Sequence, residues 1–395
     1  MILKTGALPD LVIVDPHRML PRFWATAWSL STQGHALAES TRKTTLRHID
    51  VFYSFCDDRY GVNSFDSAVS ERDAVRTQEL VEAFYLNLTS AANYSTTAVQ
   101  RWDAVRGFVS HLASHRSASS EAWRSLRLTL SVMGRMRKPS IGRVRFIRSI
   151  PASTLVDLLE VGNPTSDRNP FQGERTRERN WLIVNMLLLV GLRRSELMLL
   201  TCDALKSDVD IQSQMFVYWL DITTTEEPET RSTAPSMKTE QAHRQVPISP
   251  DLANLYQQYI AECRYDSSEH GFAFTASTGA PLSAEAVTKI FHALSRAISP
   301  KALRRFSNSA GGKAHISPHD LRHTCATASY AMFMAHDQNR ELTFQRMRAF
   351  FGWSVKSTMP EHYARAAIQE DLMRAWGQLF DSKVSILRGY QHESR

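Results

Sequence analysis

At 395 residues the chain is too long for one comfortable hydrophobic core, so two or three domains are expected, with two as the starting point. A composition 43% hydrophobic and 22% charged, with 16 Gly and 15 Pro, is that of a soluble globular protein and excludes the disordered and fibrous classes. The formal charge of +7 and a pI near 9.3 favour a polyanionic partner, although net charge speaks to association and not to fold.

No stretch approaches the run of about 20 apolar residues that a bilayer span needs. The opening MILKTGALPDLVIVDPHRML is interrupted by Pro9, Asp10 and Asp15 before a signal-like core develops, so a cytoplasmic protein with no membrane partner is expected. Cys56, Cys202, Cys263 and Cys325 lie far apart and form no CxxC pair, which argues against a disulfide framework and a cysteine zinc site. They read as reduced, mostly buried thiols.

In chain order, Ser40 to Cys56 places Leu46, Ile49, Phe52 and Tyr53 at helical spacing, with Arg42, Lys43 and Arg47 among the polar positions, as in an amphipathic helix with a basic side. Further helices are predicted over Arg72–Leu86, Thr97–Ser114 and Glu121–Met133. The stripe Val99, Trp102, Val105, Phe108, Val109 and Leu112 reads as core packing, and nothing up to residue 133 looks catalytic. Between residues 135 and 148, Arg135, Arg137, Lys138, Arg143, Arg145 and Arg148 occur with no acidic residue, punctuated by Gly134, Pro139 and Gly142. This is a basic linker, either a solvated surface or a set of phosphate contacts.

After Pro151 the elements become mixed. A helix is predicted over Ser153–Glu160 and a long apolar one from Glu174 through NWLIVNMLLLVGL. Met215–Thr224 and Gln245–Ser249 read as pairing strands and Phe272–Thr275 as a shorter one. Helices return over Pro250–Cys263, Ser283–Ile298, Pro318–Ala335 and Leu342–Phe351. The fold class is therefore mainly α with a small β-sheet: a helical N-terminal domain and a mixed α/β C-terminal domain.

Two clusters carry chemistry. In Gly191-Leu192-Arg193-Arg194-Ser195-Glu196-Leu197 an apolar helix ends at a glycine and the next begins with arginines and a glutamate. Taken singly, this is a helix start with Glu196 near the positive end of the dipole. In His319-Asp320-Leu321-Arg322-His323, residues 319, 322 and 323 share one helical face behind Pro318. That face suits either zinc, with Asp320 standing where a protease's glutamate base would be, or an anion gripped by His319 and Arg322. The arginine opposes a dication and favours the anion.

GLRRSEL, HDLRHTCAT, the FGW of Phe351 to Trp353 and then Tyr363, in this order and spacing, resemble the signature of the tyrosine recombinase (phage integrase) family. The resemblance covers roughly residues 150 to 370, and more loosely a helical core-binding domain over 35–135. It implies a 1–34 extension, a 35–134 DNA-clamp domain, a 135–150 linker, a 151–368 catalytic domain and a 369–395 helix or tail exchanged between protomers. It also implies that Arg193 and Arg322 bind phosphate, that His319 is the first histidine of the second box, and that Trp353 fills the His/Trp position. Tyr363 is then the nucleophile, Lys238 the hairpin lysine and general acid, and Glu196 and His323 supporting residues. Tyr363 sits among charged neighbours in PEHYARAA, where core packing explains it poorly.

The chemistry this implies is strand exchange through a 3′-phosphotyrosyl ester. Arginine forks stabilise the charge that builds on the phosphate, and positive surroundings lower a phenol pKa that is near 10 unaided. The ester keeps the bond energy, so no cofactor, ATP or metal is required, in keeping with the absence of a P-loop or carboxylate metal cluster in the sequence. The implied partners are double-stranded DNA with inverted-repeat core sites, three further copies in a tetramer on two sites, and sister recombinases or accessory proteins; the protein would be nucleoid-associated, and belong to a mobile element. Arg42, Lys43, Arg47, Arg135, Arg137, Lys138, Arg143 and Arg145 are the expected DNA contacts.

Two departures stand out. Trp353 to Tyr363 is one residue longer than the family's usual spacing, and the turn before Lys238 carries Glu226, Glu227 and Glu229. A DNA-binding subunit that has lost efficient cutting, and a zinc hydrolase built on His319 and His323, are the competing readings.

Overall fold

The computed structural model describes residues 2–4, 11–90, 94–116, 120–135, 149–237, 240–267 and 269–375. The chain forms two compact units, Met1–Arg143 and Val144–Arg395.

In the first unit, β1 (Ile2–Lys4) pairs antiparallel with β2 (Leu11–Ile13), and seven helices follow: α1 (Phe23–Leu30), α2 (Thr32–His35), α3 (Glu39–Tyr60), α4 (Ser64–Ser70), α5 (Ala74–Thr89), α6 (Thr96–Arg116) and α7 (Glu121–Met133). The predicted stripes of α3 and α6 face one another across an aromatic core of Phe52, Tyr53, Phe65, Phe84, Trp102 and Phe108. Phe52 meets Phe65 and Phe84 edge-on, with centroids 4.9 and 5.1 Å apart, the geometry ring quadrupoles favour.

The stretch expected as an N-terminal extension is part of this core. Leu11, Ile13, Ala25 and Trp28 are buried in it, and Arg22, 3% exposed, is pinned by Asp57 and by Asp15 at 3.1 Å while lying over the Tyr53 ring. Arg42 also departs from expectation. It is buried, whereas Lys43 is half-buried and Arg47 exposed, so the three do not form one solvent-facing basic side. Arg42 lies about 140° round the helix from Arg47 and falls on the inner half, one turn from buried Leu46.

The second unit opens with α8 (Ala152–Gly162) and α9 (Glu174–Asn185), which runs into a π turn at Met186–Val190 and stops at Gly191. Then come α10 (Arg194–Leu199), β3 (Leu205–Val209), β4 (Phe216–Ile222), β5 (Arg244–Ile248) and α11 (Pro250–Gln258), which ends in a second π turn at Tyr259–Cys263. The sheet is antiparallel with β4 central; Leu220 lies opposite Leu205 and Val246, and Tyr218 opposite Ile248. The expected pairing of the two longer strands is present. Phe272–Thr275 is instead held by two isolated bridges, Thr201 to Phe272 and Thr275 to Pro281.

Five helices complete the unit: α12 (Ala284–Ala297), α13 (Pro300–Ser309), α14 (Pro318–Asp337), α15 (Arg340–Phe351) and α16 (Met359–Ala375). The last begins before the helix or tail expected over 369–395, so that Tyr363 lies on it; residues 376–395 are outside the described residues. The chain is mostly helical with a small sheet, as its sequence predicts. Cys56, Cys263 and Cys325 are buried, Cys202 is half-buried, and all four are free thiols. Among the described residues no helix is long and apolar enough to cross a membrane.

Candidate functional site

The site assembles around one carboxylate. Glu196, 1% exposed in the first turn of α10, accepts from the backbone N–H of Arg193 at 2.9 Å, an N-terminal cap that also satisfies an orphan helix donor. Its oxygens also take the Arg193 guanidinium, the Arg244 Nη2 at 3.0 Å and, at 3.6 Å, the Arg322 Nη1. Burial pushes the Glu196 carboxyl up, but the charges of Arg244, Arg322 and Arg193, with the Arg244 hydrogen bond, hold it below the ordinary value.

Arg322 projects from α14 and is 3% exposed. It donates to the carbonyl oxygens of Gly191 and, at 2.8 Å, Phe351, the ends of the π turn and of α15, which have no partner within their own helices. Its fork therefore ties two helix C-termini together. Burial lowers its pKa to about 10, partly offset by Glu196, so it stays charged at neutral pH.

Arg244, at the start of β5, donates to Phe350 O at 2.7 Å and Ala242 O at 2.8 Å as well as to Glu196. Sequence reasoning does not find it. An arginine heading a strand carries no pattern that separates it from a solvated one; only three-dimensional proximity marks it.

Three guanidiniums share one carboxylate, so the cluster keeps surplus positive charge in a region of low dielectric. Arg193 is 23% exposed, against 6% for Arg244, and presents that surplus outward. An anion is the ligand such a site can hold.

The two glycines of the motifs have a geometric reason. Gly191 and Gly352 have φ of +63° and +61° and end their helices in the left-handed region. A Cβ on Gly191 would lie 2.5 Å from the Phe351 ring, and one on Gly352 3.0 Å from Ala242 Cα and from Arg244 Nη1.

Against this cluster stands a ladder of rings. Trp353 stacks on Phe351, with centroids 4.9 Å apart, and on Tyr363 at 5.4 Å and 6° between planes. Arg322 lies over Phe351 and Trp353. The longer spacing from Trp353 to Tyr363 does not separate the two rings. Tyr363 is 2% exposed, so the expectation that packing explains it poorly does not hold: it belongs to the apolar cluster of Tyr330, Phe344, Met347, Phe351 and Trp353. Its hydroxyl and the Nδ1 of His323 are 2.6 Å apart.

His319, exposed at the first turn of α14, lies with its ring 4.1 Å from that of His323. Asp320, fully buried, caps the same helix, accepting from Ser317 N at 2.9 Å, Ser317 Oγ at 2.6 Å and Lys313 at 2.6 Å. The base of the zinc-hydrolase reading is thus committed to a cap. Among the described residues no three His, Cys, Asp or Glu side chains are grouped to hold a metal ion.

The structure therefore brings together Arg193, Glu196, Arg322, His323, Trp353 and Tyr363, with His319 beside them. Lys238 lies outside the described residues, as do Arg137, Lys138, Arg143 and Arg145; Arg135 is exposed after α7. The acidic turn before Lys238 is docked on its own domain. Glu227 accepts from Gly271 N at 2.6 Å, and Glu229 pairs with Arg231, which donates to Met198 O at 3.0 Å and lies over Phe272. Glu226 remains exposed.

A mostly helical domain thus places a buried arginine cluster beside a stacked tyrosine. The model of the phage integrase family matches residues 169–370, half of the chain, and the chain belongs to that family, the tyrosine recombinases. No curated protein matches it. Among solved structures it is similar to a XerA recombinase, 15% identical over 89% of this chain and 97% of that one, with a TM-score of 0.35. A XerH site-specific recombinase bound to palindromic difH substrate in a post-cleavage complex is 14% identical over 89% and 84%, at 0.49. The integrase from mycobacterium phage Brujita is 12% identical over 87% and 91%, at 0.26.

Proposed function

We propose that this protein is a site-specific DNA recombinase of a mobile element, which breaks and rejoins strands through a 3′-phosphotyrosyl link to Tyr363. The observation that carries the reading is the convergence, within the family-matched segment, of Arg193, Arg322 and Glu196 with Trp353 and Tyr363. Arg193 and Arg322 would hold the non-bridging oxygens of the scissile phosphate, whose added negative charge in the transition state strengthens both interactions. The Tyr363 oxygen bonds to phosphorus as the bond to the 5′ oxygen breaks, and Lys238 supplies that oxygen's proton. Glu196 keeps the arginines in register, and His319 stands at the exposed edge where phosphate would enter. Arg47, Lys43, Arg135 and the residue 137–145 basic positions would hold the duplex backbone, and four copies would act on two sites.

The test uses a pool of nicked duplexes with randomised cores, in which the short fragment beyond the nick diffuses away and strands the intermediate. Wild-type protein and Tyr363→Phe are compared on denaturing gels with and without EDTA. The expected result is a covalent protein–DNA species that needs Tyr363 and survives EDTA. Retention of duplex by wild-type protein without any adduct would overturn it in favour of a DNA-binding subunit that does not cut.

A further inference from the structure

We infer that His323, and not His319, takes the proton from Tyr363 when it attacks phosphate. This deepens the proposed function and rests on it. The hydroxyl of Tyr363 and the Nδ1 of His323 are 2.6 Å apart, within the reach a general base needs. Both side chains are nearly enclosed, 2% and 4% exposed, so a phenol proton has no ready route to bulk water. His319, by contrast, is exposed.

The two elements that bring the pair together are held independently of it. His323 is one residue past Arg322, whose fork is bonded to Gly191 O and Phe351 O, and one turn past Asp320, which caps α14. Tyr363 is fixed in its plane by Trp353. A Tyr–His pair positioned by four separate anchors is pre-organised for proton transfer.

In the attack the Tyr363 O–H bond breaks, its proton passes to His323 Nδ1 to give imidazolium, the oxygen's electron pair forms the bond to phosphorus, and the P–O5′ bond breaks. The 5′ oxygen takes its proton from the general acid, the Lys238 ammonium of the proposed function. In religation both transfers reverse, and His323 returns the proton to the departing phenolate.

Imidazolium formation at His323 is opposed by the Arg322 charge next to it. Titratable rings near it include His319 on its own helix, with ring centroids 4.1 Å apart, and His362 and Tyr363 on α16, at 6.5 and 5.4 Å. The π turn packed on α14 is apolar, Arg348 of α15 is occupied by Glu341 and Glu361, and Lys313 in front of the helix is bonded to Asp320. In the attack, the negative charge that phosphate brings would offset the Arg322 charge beside His323.

Two measurements test this. In protein labelled with ¹⁵N-histidine, the His323 resonances, assigned by comparison with His323→Gln, should show an unprotonated Nδ1 and a protonated Nε2 above neutral pH, with Nδ1 moving in Tyr363→Phe. An Nδ1–H tautomer would overturn the inference, because His323 would then donate to the phenol. On a duplex recovered from the trapping experiment, His323→Gln, which can accept the hydrogen bond but not the proton, should form adduct about 10²–10⁴-fold more slowly at pH 7. It should lose the acid limb of the pH–rate profile and approach wild type near pH 10, where phenol ionises unaided. His319→Gln should keep the limb. A His323→Gln rate within threefold of wild type, or a limb lost only in His319→Gln, would overturn the inference, with circular dichroism confirming that each variant is folded. If wild-type protein forms no adduct on any duplex, the proposed function fails, while the nitrogen resonances still decide the role of His323.

Discussion

Glu196 is where charge, burial and hydrogen bonding meet most tightly. Removing one partner of a buried ion pair leaves the other uncompensated, at a cost of about 3–5 kcal/mol, and here three guanidiniums depend on one carboxylate. Glu196→Gln keeps the shape and removes the charge, so it should lower the stability of the second unit by an amount in that range in urea titrations followed by tryptophan fluorescence. A loss under about 1 kcal/mol would mean that the arginines relax into solvent instead. The same group sets an acid dependence. Its folded pKa lies below the ordinary 4.5, so its contribution is fully present above that value and is lost as pH falls through the folded pKa. The difference between wild type and Glu196→Gln should therefore be constant from pH 8 to 6 and shrink below about 4.5; a gap that persists at pH 3 would show that packing, not charge, is what the substitution removed. Arg193, Glu196 and Arg322 were legible through the order and spacing of the motifs, because GLRRSEL taken singly reads as an ordinary helix start and Arg322 lies in the separate HDLRH cluster. Tyr363 was misjudged from its immediate neighbours, Glu361, His362 and Arg365. On a helix the relevant neighbours are Met359 and Ala367, four residues either side, and both pack in the cluster that buries Tyr363.

Elements meet where two helices end at glycines. Gly191→Ala must place a side chain at φ +63°, costing about 1–2 kcal/mol, and drive a methyl into the Phe351 ring, for about 1–3 kcal/mol more. It should also displace the Gly191 carbonyl that Arg322 grips. We expect a loss of roughly 2–5 kcal/mol, the sum of the two terms, together with weaker anion binding, read by thermal unfolding with and without inorganic pyrophosphate; an unchanged midpoint would show that Phe351 can move aside freely. The connection between β4 and β5 gives a second case. Arg231 fastens it to Met198 O, Leu282 O and the face of Phe272, so Arg231→Ala should loosen the turn and let a glutamate-specific protease cut it several-fold faster, with cuts mapped by mass spectrometry. Equal cleavage would mean that the Glu227 bond to Gly271 suffices. The amphipathic helices were readable because burial imposes a 3.6-residue period. β3 was not, since LKSDV is largely exposed and has no apolar face to betray it. The helix around Tyr363 starts at Met359–Pro360, a proline-led first turn, yet its mixed charges hid the stripe that packs it.

At the scale of the whole molecule the question is which of the 47 lysines and arginines meet a polyanion. Several are already committed: Arg22 to Asp15 and Asp57, Arg244 to Glu196 and backbone carbonyls, Arg231 to its own turn. Net charge therefore overstates the surface available to DNA, and burial is the better guide. Arg47 is exposed and Lys43 half-buried on α3, whereas Arg42 is enclosed in the first unit's core. Removing a side chain that neutralises one phosphate should reduce the slope of log K against log salt by about 1. Arg47→Ala should thus flatten the salt dependence of duplex binding and leave the unfolding midpoint nearly unchanged. Arg42→Ala should act in the opposite way, lowering the midpoint while leaving the slope of the folded fraction intact, because what it removes is a buried side chain and not a surface cation. Fluorescence anisotropy on a labelled random-sequence duplex between about 50 and 300 mM salt, paired with thermal unfolding of the same preparations, separates the two. A slope change in Arg42→Ala equal to that in Arg47→Ala would mean that α3 turns its buried arginine outward when it meets DNA.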